Sequence, residues 1–367
     1  MRRISAQYVF TMAGRPLTRG IVTLADDGTV AGVEDTGGIL TESAGTEFYN
    51  GIIIPGLINC HAHLELSHMR GLIPSGGGLG NFVEAVRTRR QASQEEVVDA
   101  AASADRDMFA EGIAACGDIS NNTLTAGIKR DSAISYLTFA EVFGTDPSVA
   151  ASRMSNAMNM VDELSASRLP VQITPHSLYS ISLPLWQMIR EKIRPDSVIS
   201  LHFLESEDER KLTSRHAEKA LELSPLAAHL LLVHNTVITR DEAAAVAAAG
   251  NTWFCLCPSS NMHISGLMPP AAMLREITDR ITVGTDSLAS TGSLSMISEL
   301  RLLQDAAPHM PLEEILRWAT INGALALKME NTLGSIEPGK KPGLLLLEPV
   351  DLLNMRLLPE SRVTRLS

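Results

Sequence analysis

The chain has few cysteines, no long apolar run and no excess of positive charge. Its four cysteines, Cys60, Cys116, Cys255 and Cys257, each lie in an apolar stretch that reads as a strand. That placement argues against a secreted disulfide framework and makes a reducing cytoplasm the expected location. No apolar run approaches the roughly 18 residues that a membrane span requires. The opening MRRISAQYVFTMAGRP has two arginines but no apolar core of signal-peptide length. The formal net charge of -11 argues against a nucleic-acid partner, because phosphate recognition needs a basic patch. The expectation is a cytoplasmic globular protein with a small-molecule substrate and neither membrane nor nucleic acid as partner. At 367 residues, 45% of them hydrophobic, it can bury a core without covalent staples.

The sequence then shows an alternation. Short apolar runs recur as IIIPGLINCHAH, GIAACGDIS, AISYLTFAEV, PVQITPHS, VISLHFLES, LLLVHN, NTWFCLCPS and ITVGTDS. Helix-like stretches such as QEEVVDAAASADRDMFAEG, LPLWQMIREKI and RDEAAAVAAAG separate most of them. Continuous apolar runs fit strands buried on both faces. Eight strand-then-helix units predict an α/β chain with a (β/α)8 TIM-like barrel over residues 55–330. The first ~50 residues read as short strands between Gly and Asp turns, with Asp27-Gly28 as a hairpin signal. The end resembles the start, so residues 1–54 and 331–367 are expected to form one small β-sandwich domain.

Polar residues are not scattered over this pattern. His61 and His63 end the first run, His176 the fourth, His202 and Glu205 the fifth, His234 the sixth and Asp286 the eighth. In barrels the C-terminal strand ends form the catalytic face. His-x-His alone is a weak motif, but on a strand it sends both imidazoles to one side. With His202 and Asp286 it makes a nitrogen-rich set with one hard oxygen ligand, suited to one Zn²⁺ or Fe²⁺ with a position left for water. Water bound to such an ion can lose a proton near pH 7, to about the extent seen in well-studied zinc sites. Asp286 is placed to take that proton, His234 to orient the resulting hydroxide, and Glu205 to protonate a ring nitrogen or leaving amine.

Several other features carry weaker readings. Gly76-Gly77-Gly78 lacks the Gly-Lys-Ser/Thr of a phosphate loop and reads as a flap over the pocket. Ser259, Ser260 and Asn261 close the seventh strand and are candidate substrate contacts. Cys255 and Cys257 read as buried strand residues rather than a second metal site. Ser287 has no G-x-S-x-G frame for a nucleophile.

Taken in order, PGLINCHAHLELS, TPHSLYS, LHFLESEDE, LLVHNT, CPSSN and VGTDSLAS resemble the amidohydrolase superfamily along nearly the whole chain. The likeness is to the branch of cytosine, guanine, adenosine-type and triazine hydrolases. It implies His61, His63, His202 and Asp286 as metal ligands, Glu205 and His234 as catalytic groups, and His176 as a substrate contact. Binuclear members carry a lysine at the end of strand four. PVQITPHS has none, which implies a single metal ion. The stretch HLELSHMRGLIPSGGGLGNFVEAV is similar to deaminases acting on aminodeoxyfutalosine, an adenosine-like compound. By that resemblance Glu65 and Ser67 are candidate substrate contacts, Glu65 for a ribose hydroxyl pair. Arg70, Arg87 and Arg90 are candidates for a substrate carboxylate, with Arg87 favoured. A homodimer is also implied. The expected activity is attack of a metal-bound hydroxide on an aminated purine-like ring, releasing ammonia. The rivals are a chlorohydrolase or cyclic amidohydrolase of the same superfamily and, from another class, a catalytically silent barrel acting as a binding protein.

Overall fold

A computed structural model describes residues 1–39 and 45–367. At the N-terminus lie β1 (Arg2–Val9), β2 (Leu17–Thr18), β3 (Ile21–Leu24), β4 (Val30–Glu34) and β5 (Thr46–Pro55). There follow β6 (Leu57–Ala62), β7 (Ile113–Ser120), β8 (Ser135–Val142), β9 (Val171–Pro175), β10 (Val198–Phe203), β11 (His229–His234), β12 (Thr252–Leu256) and β13 (Ile281–Val283). The chain ends with β14 (Leu344–Asp351) and β15 (Arg356–Arg365).

The two ends of the chain do pair. They form one seven-stranded mixed sheet, in the order β15-β14-β5-β1-β3-β4 with β2 on β1. Antiparallel pairing of Leu344–Leu347 with Pro55–Ile52 joins the C-terminal segment to the N-terminal one. Among the described residues these terminal strands make a single sheet rather than the two facing sheets of a sandwich. Its own apolar cluster includes Ile4, Val22, Val30, Ile53 and Leu344. The β3–β4 connection turns on Gly28 at φ +87°, while Asp27 stays out of the left-handed region. Asp27 instead uses its carboxylate to accept hydrogen bonds from the Thr29 amide (3.0 Å) and hydroxyl (2.9 Å).

The eight strand-like runs appear as β6–β13, split into the parallel sheets β6-β7-β8-β9 and β10-β11-β12-β13. Helices between the strands cover them, as parallel pairing requires. The helices over residues 94–110 and 240–247 begin with capping boxes, at Ser93/Glu96 and Thr239/Glu242. Backbone contacts span both seams between the sheets. At one seam His202 N donates to His176 O at 2.9 Å, and Ser177 bridges His202 in parallel fashion. At the other, Thr285 N and Asp286 N both donate to His61 O, at 3.0 and 2.9 Å. The fold is TIM-barrel-like, with parallel strands whose C-terminal ends carry the polar residues.

β13 is shorter than its apolar run. It stops at Val283 because Gly284 lies against His61: a Cβ at Gly284 would stand 2.7 Å from His61 Cβ and 2.9 Å from the His61 backbone nitrogen and oxygen. Only glycine permits that approach. Gly284→Ala is expected to destabilise the fold by about 1–3 kcal/mol through overpacking and to displace His61. Denaturant unfolding and metal content, measured on the same preparation, would check both effects.

Candidate active site

The residues singled out at strand ends converge. His63 Nε2 lies 3.2 Å from His61 Nε2, 3.3 Å from His202 Nε2 and 3.3 Å from Asp286 Oδ1. His61 Nε2 is 3.6 Å from the same carboxylate oxygen. His61, His63 and Asp286 form one group whose ligand atoms all lie within 4.8 Å, and His61, His202 and His234 form another. Each imidazole is buried or nearly so, and for His63, His202 and His234 burial drives the proton off. The pKa of His63 falls to about 3 and that of His234 to about 3, with His202 well below its ordinary value. These rings are therefore neutral, with lone pairs to offer. His202 Nδ1 donates to the His176 carbonyl at 2.9 Å, which aims its Nε2 lone pair at His63 and His61.

Asp286 is fixed from behind. Burial opposes its ionisation, but hydrogen bonding with His61 and electrostatic attraction to the surrounding His63, His234 and His61 rings hold its carboxyl well below the usual range. Ser260 Oγ and Ser290 Oγ donate to Oδ2 at 2.6 and 2.7 Å, leaving Oδ1 toward the histidines. Three lone-pair nitrogens and an ionised carboxylate, packed this closely, fit a divalent cation with mixed nitrogen and oxygen ligands. Two of the residues take strained backbone, His234 at φ +77° and Asp286 at φ +60°. Non-glycine residues seldom take that conformation, and it gathers at functional sites.

Glu205 and His234 face each other, with His234 Nε2 3.8 Å from Glu205 Oε1. Burial, together with the charges of Asp286 and Glu209, pushes the Glu205 carboxyl well above its ordinary range. It is not part of a solvated acidic run: Glu205 and Glu209 are buried while Glu207 and Asp208 are exposed. Glu209 accepts from the Glu205 amide at 2.8 Å and holds the turn in place.

A cavity of about 300 Å³ opens over this cluster. Its floor is His63, His202, Glu205, His234 and Asp286, with His176 on the rim. One wall is apolar: Leu66, Leu79, Phe82, Val83 and Val86, mostly from the helix Gly78–Arg89 that follows the triple glycine. The expected flap region therefore supplies a wall. His176 stacks on His202 with ring centroids 4.6 Å apart.

Other expected contacts are placed differently. Arg87 lines the cavity, but Glu84 holds its guanidinium at 2.7 and 2.8 Å and its side chain is 72% exposed. Arg70 faces Asp107 at 3.3 Å. Arg90 is the arginine turned to the site, 3.5 Å from Glu65 Oε1. Ser67 is spent on its own turn, donating to Leu64 O at 2.7 Å, and does not line the cavity. Ser259, Ser260 and Asn261 open a helix instead of ending a strand. They serve the site from behind: Ser260 on Asp286, Asn261 Nδ2 3.3 Å from His234 Nδ1, and the Ser259 amide on buried Glu299 at 2.9 Å. All four cysteines are free and buried.

The structure also brings in residues that the strand-end pattern could have flagged but did not. Glu141, near the end of β8, is buried beside His202 and lines the cavity. Asp118, on β7, accepts from the Leu64 amide at 2.7 Å and pairs with Lys129, both side chains fully buried, which fixes the chain just past His63. Glu141 lies inside the apolar run AISYLTFAEV rather than past its end, and Asp118 acts through a backbone amide.

The amidohydrolase family matches residues 52–364. The chain belongs to that family. It is a hydrolase of carbon–nitrogen bonds. It is 28% identical to a 5-methylthioadenosine/S-adenosylhomocysteine deaminase of Pyrococcus horikoshii, over 76% of this chain and 70% of that protein. Among solved structures it is similar to Helicobacter pylori aminofutalosine deaminase in complex with methylthio-coformycin, at TM-score 0.80 and 22% identity over 96% of this chain and 93% of that one. It is also similar to an adenosine deaminase of Xanthomonas campestris with bound zinc, at TM-score 0.76 and 21% identity over 98% and 87%. Both structural likenesses bear on the fold. Among the described residues no helix is long and apolar enough to cross a membrane.

The two hydroxyls behind Asp286 give a test of the site's construction. Ser260→Ala and Ser290→Ala are each expected to lower metal affinity or activity by about 10- to 100-fold, the usual effect of removing a group that orients a ligand. Metal retention against a graded chelator would measure it.

Proposed function

We propose that this protein is a metal-dependent deaminase of an aminated purine nucleoside or a close relative such as aminodeoxyfutalosine, releasing ammonia. The carrying observation is the convergence of His61, His63, His202 and Asp286 beside a buried Glu205, whose carboxyl burial pushes well above its ordinary range. These four would hold one divalent ion, zinc or iron. The zinc in the Xanthomonas relative supports zinc, and a histidine rather than a lysine after β9 supports a single ion. The two seams support reading β6–β13 as one closed barrel over residues 55–330, with the terminal segments 1–54 and 331–367 as a separate β unit.

When bound, such an ion lowers the proton affinity of water, to a pKa of about 7 in well-studied zinc sites. The chain's own groups do the rest. Asp286, held ionised, can accept a proton. Asn261 donating to His234 Nδ1 leaves the His234 proton on Nε2, turned toward Glu205, where it can donate to an attacking oxygen. Burial pushes the Glu205 carboxyl well above its ordinary range, which suits it to protonate a ring nitrogen and make the adjacent amine-bearing carbon accept an oxygen nucleophile. The apolar wall of Leu79, Phe82 and Val86 suits a flat heterocycle and keeps water from its face.

Two measurements test this reading. Metal analysis is expected to give about one divalent ion per chain, lost in His61→Ala. Two ions per chain would overturn the single-metal assignment. Glu205→Gln is expected to keep the ion while losing on the order of 10²- to 10⁴-fold in turnover. The assay is ammonia release over adenosine derivatives, aminodeoxyfutalosine, guanine and cytosine. Near-normal activity of that variant would remove Glu205 from the mechanism.

A further inference from the structure

The acid expected to meet substrate hydroxyls, Glu65, is already occupied. Its Oε2 accepts from the Asn121 amide at 3.0 Å and from Asn122 Nδ2 at 2.7 Å, and its Oε1 faces Arg90. Glu141 is different. Its Oε2 accepts from Asn121 Nδ2 at 3.0 Å, but its Oε1 is buried and has no hydrogen-bond partner among the described residues. Its Oε1 lies 3.6 Å from His202 Nδ1, and that N–H is taken by the His176 carbonyl at 2.9 Å. A buried acceptor left unpaired is costly, and natural proteins keep few of them except where a ligand completes the set.

The position of Glu141 says which part of a ligand would do so. It lies in the wall shared by the cavity over the metal-ligand cluster and a second cavity of about 440 Å³, lined by Asn121, Asn122, Asn156, Asn159 and Arg153 among others. Phe143, two residues on, lines both as well. Asn121 and Arg90 line both cavities too, so Glu141 stands where the space over Glu205 and His234 adjoins this polar second cavity. A carboxylate acceptor there fits a neutral donor, such as an alcohol, and repels an anion.

We propose that Glu141 is a specificity-determining residue whose Oε1 accepts a hydrogen bond from a substrate hydroxyl, on the side of the site that opens to the second cavity. This rests on the nucleoside reading given above, with the sugar supplying the hydroxyl. A site built to pair a hydroxyl discriminates strongly against the analogue lacking it, because its own polar group is then left bare.

The test is the ratio of kcat/KM for adenosine to that for 2′-deoxy-, 3′-deoxy- and 2′,3′-dideoxyadenosine, in the metal-loaded wild type, Glu141→Ala and Glu141→Gln. The wild type is expected to prefer adenosine over at least one deoxy analogue by about tenfold or more. In Glu141→Ala that ratio collapses toward one, and in Glu141→Gln, which keeps one acceptor oxygen, it falls part-way. Metal content is read alongside, since Glu141 adjoins His202. A wild type that deaminates adenosine but ignores the hydroxyls would overturn the proposal. So would variants that lower all four substrates by the same factor, as a purely structural residue would. A wild type that releases ammonia from none of these four overturns the assignment of Glu141, and one that releases it from neither these nor aminodeoxyfutalosine overturns the nucleoside reading as well.

Discussion

The His61 carbonyl accepts hydrogen bonds from both Thr285 and Asp286, and much of the site depends on that arrangement. It ties the first strand of the parallel array to the last, and it does so at a metal-ligand candidate on each side. Gly284 makes it sterically feasible, and Asn59 reinforces it. The Asn59 side chain donates to Thr285 Oγ1 at 2.7 Å and accepts from the Thr285 amide at 3.1 Å. The opposite seam is built on the same plan, with His202 receiving its orientation from the His176 carbonyl. In both places the backbone contact that joins the sheets also aims a ligand. Fold and site are therefore hard to perturb separately: a change that loosens either seam moves a ligand with it.

Much of this was legible in the sequence because barrel geometry is periodic. Continuous apolar runs mark strands buried on both faces, and the residue at the end of each run must lie on the catalytic rim. That logic placed His61, His63, His202, Glu205, His234 and Asp286 together with no knowledge of distances. It also read the pairing of the chain's two ends correctly, since turn-rich apolar segments at both termini need a partner. It could not show that β13 would stop at Val283, because the reason is a contact with a residue more than two hundred positions away. Nor could it show that Arg87 would be held by Glu84. On a helix, residues three apart are neighbours, and the local ion pair competes with any role toward the cavity. Ser260 and Asn261 were seen as polar residues near the rim. Only the fold shows them turned toward Asp286 and His234.

Charge explains why the cluster has this composition. Asp286, Glu205, Glu141 and Glu65 are all buried around the cavity, and the nearby arginine, Arg90, reaches one of them. Buried carboxylates without cations either take up protons or need a metal. The structure divides them accordingly. Asp286, ringed by imidazoles and held by two hydroxyls, stays ionised and is suited to a metal. Glu205, buried and next to the Asp286 charge, is pushed well above its ordinary range and is suited to acid catalysis. Two carboxyl groups in one cavity are thus shifted in opposite directions by their surroundings alone.

The same comparison separates Glu65 from Glu141. Burial raises both, each to about 7, and their difference lies in hydrogen bonding. Glu65 has spent Oε2 on Asn121 and Asn122 and turned Oε1 to Arg90, which makes it a brace between the segment after β6 and the segment after β7. Glu141 has spent only one oxygen, and the other has no hydrogen-bond partner among the described residues, at the wall between two cavities. Asn121 touches both acids, the one through its backbone amide and the other through its side chain. The brace and the free acceptor are therefore parts of one assembly: by holding Asn121 still, Glu65 fixes Glu141 Oε2, and with it the direction in which Oε1 can receive a donor.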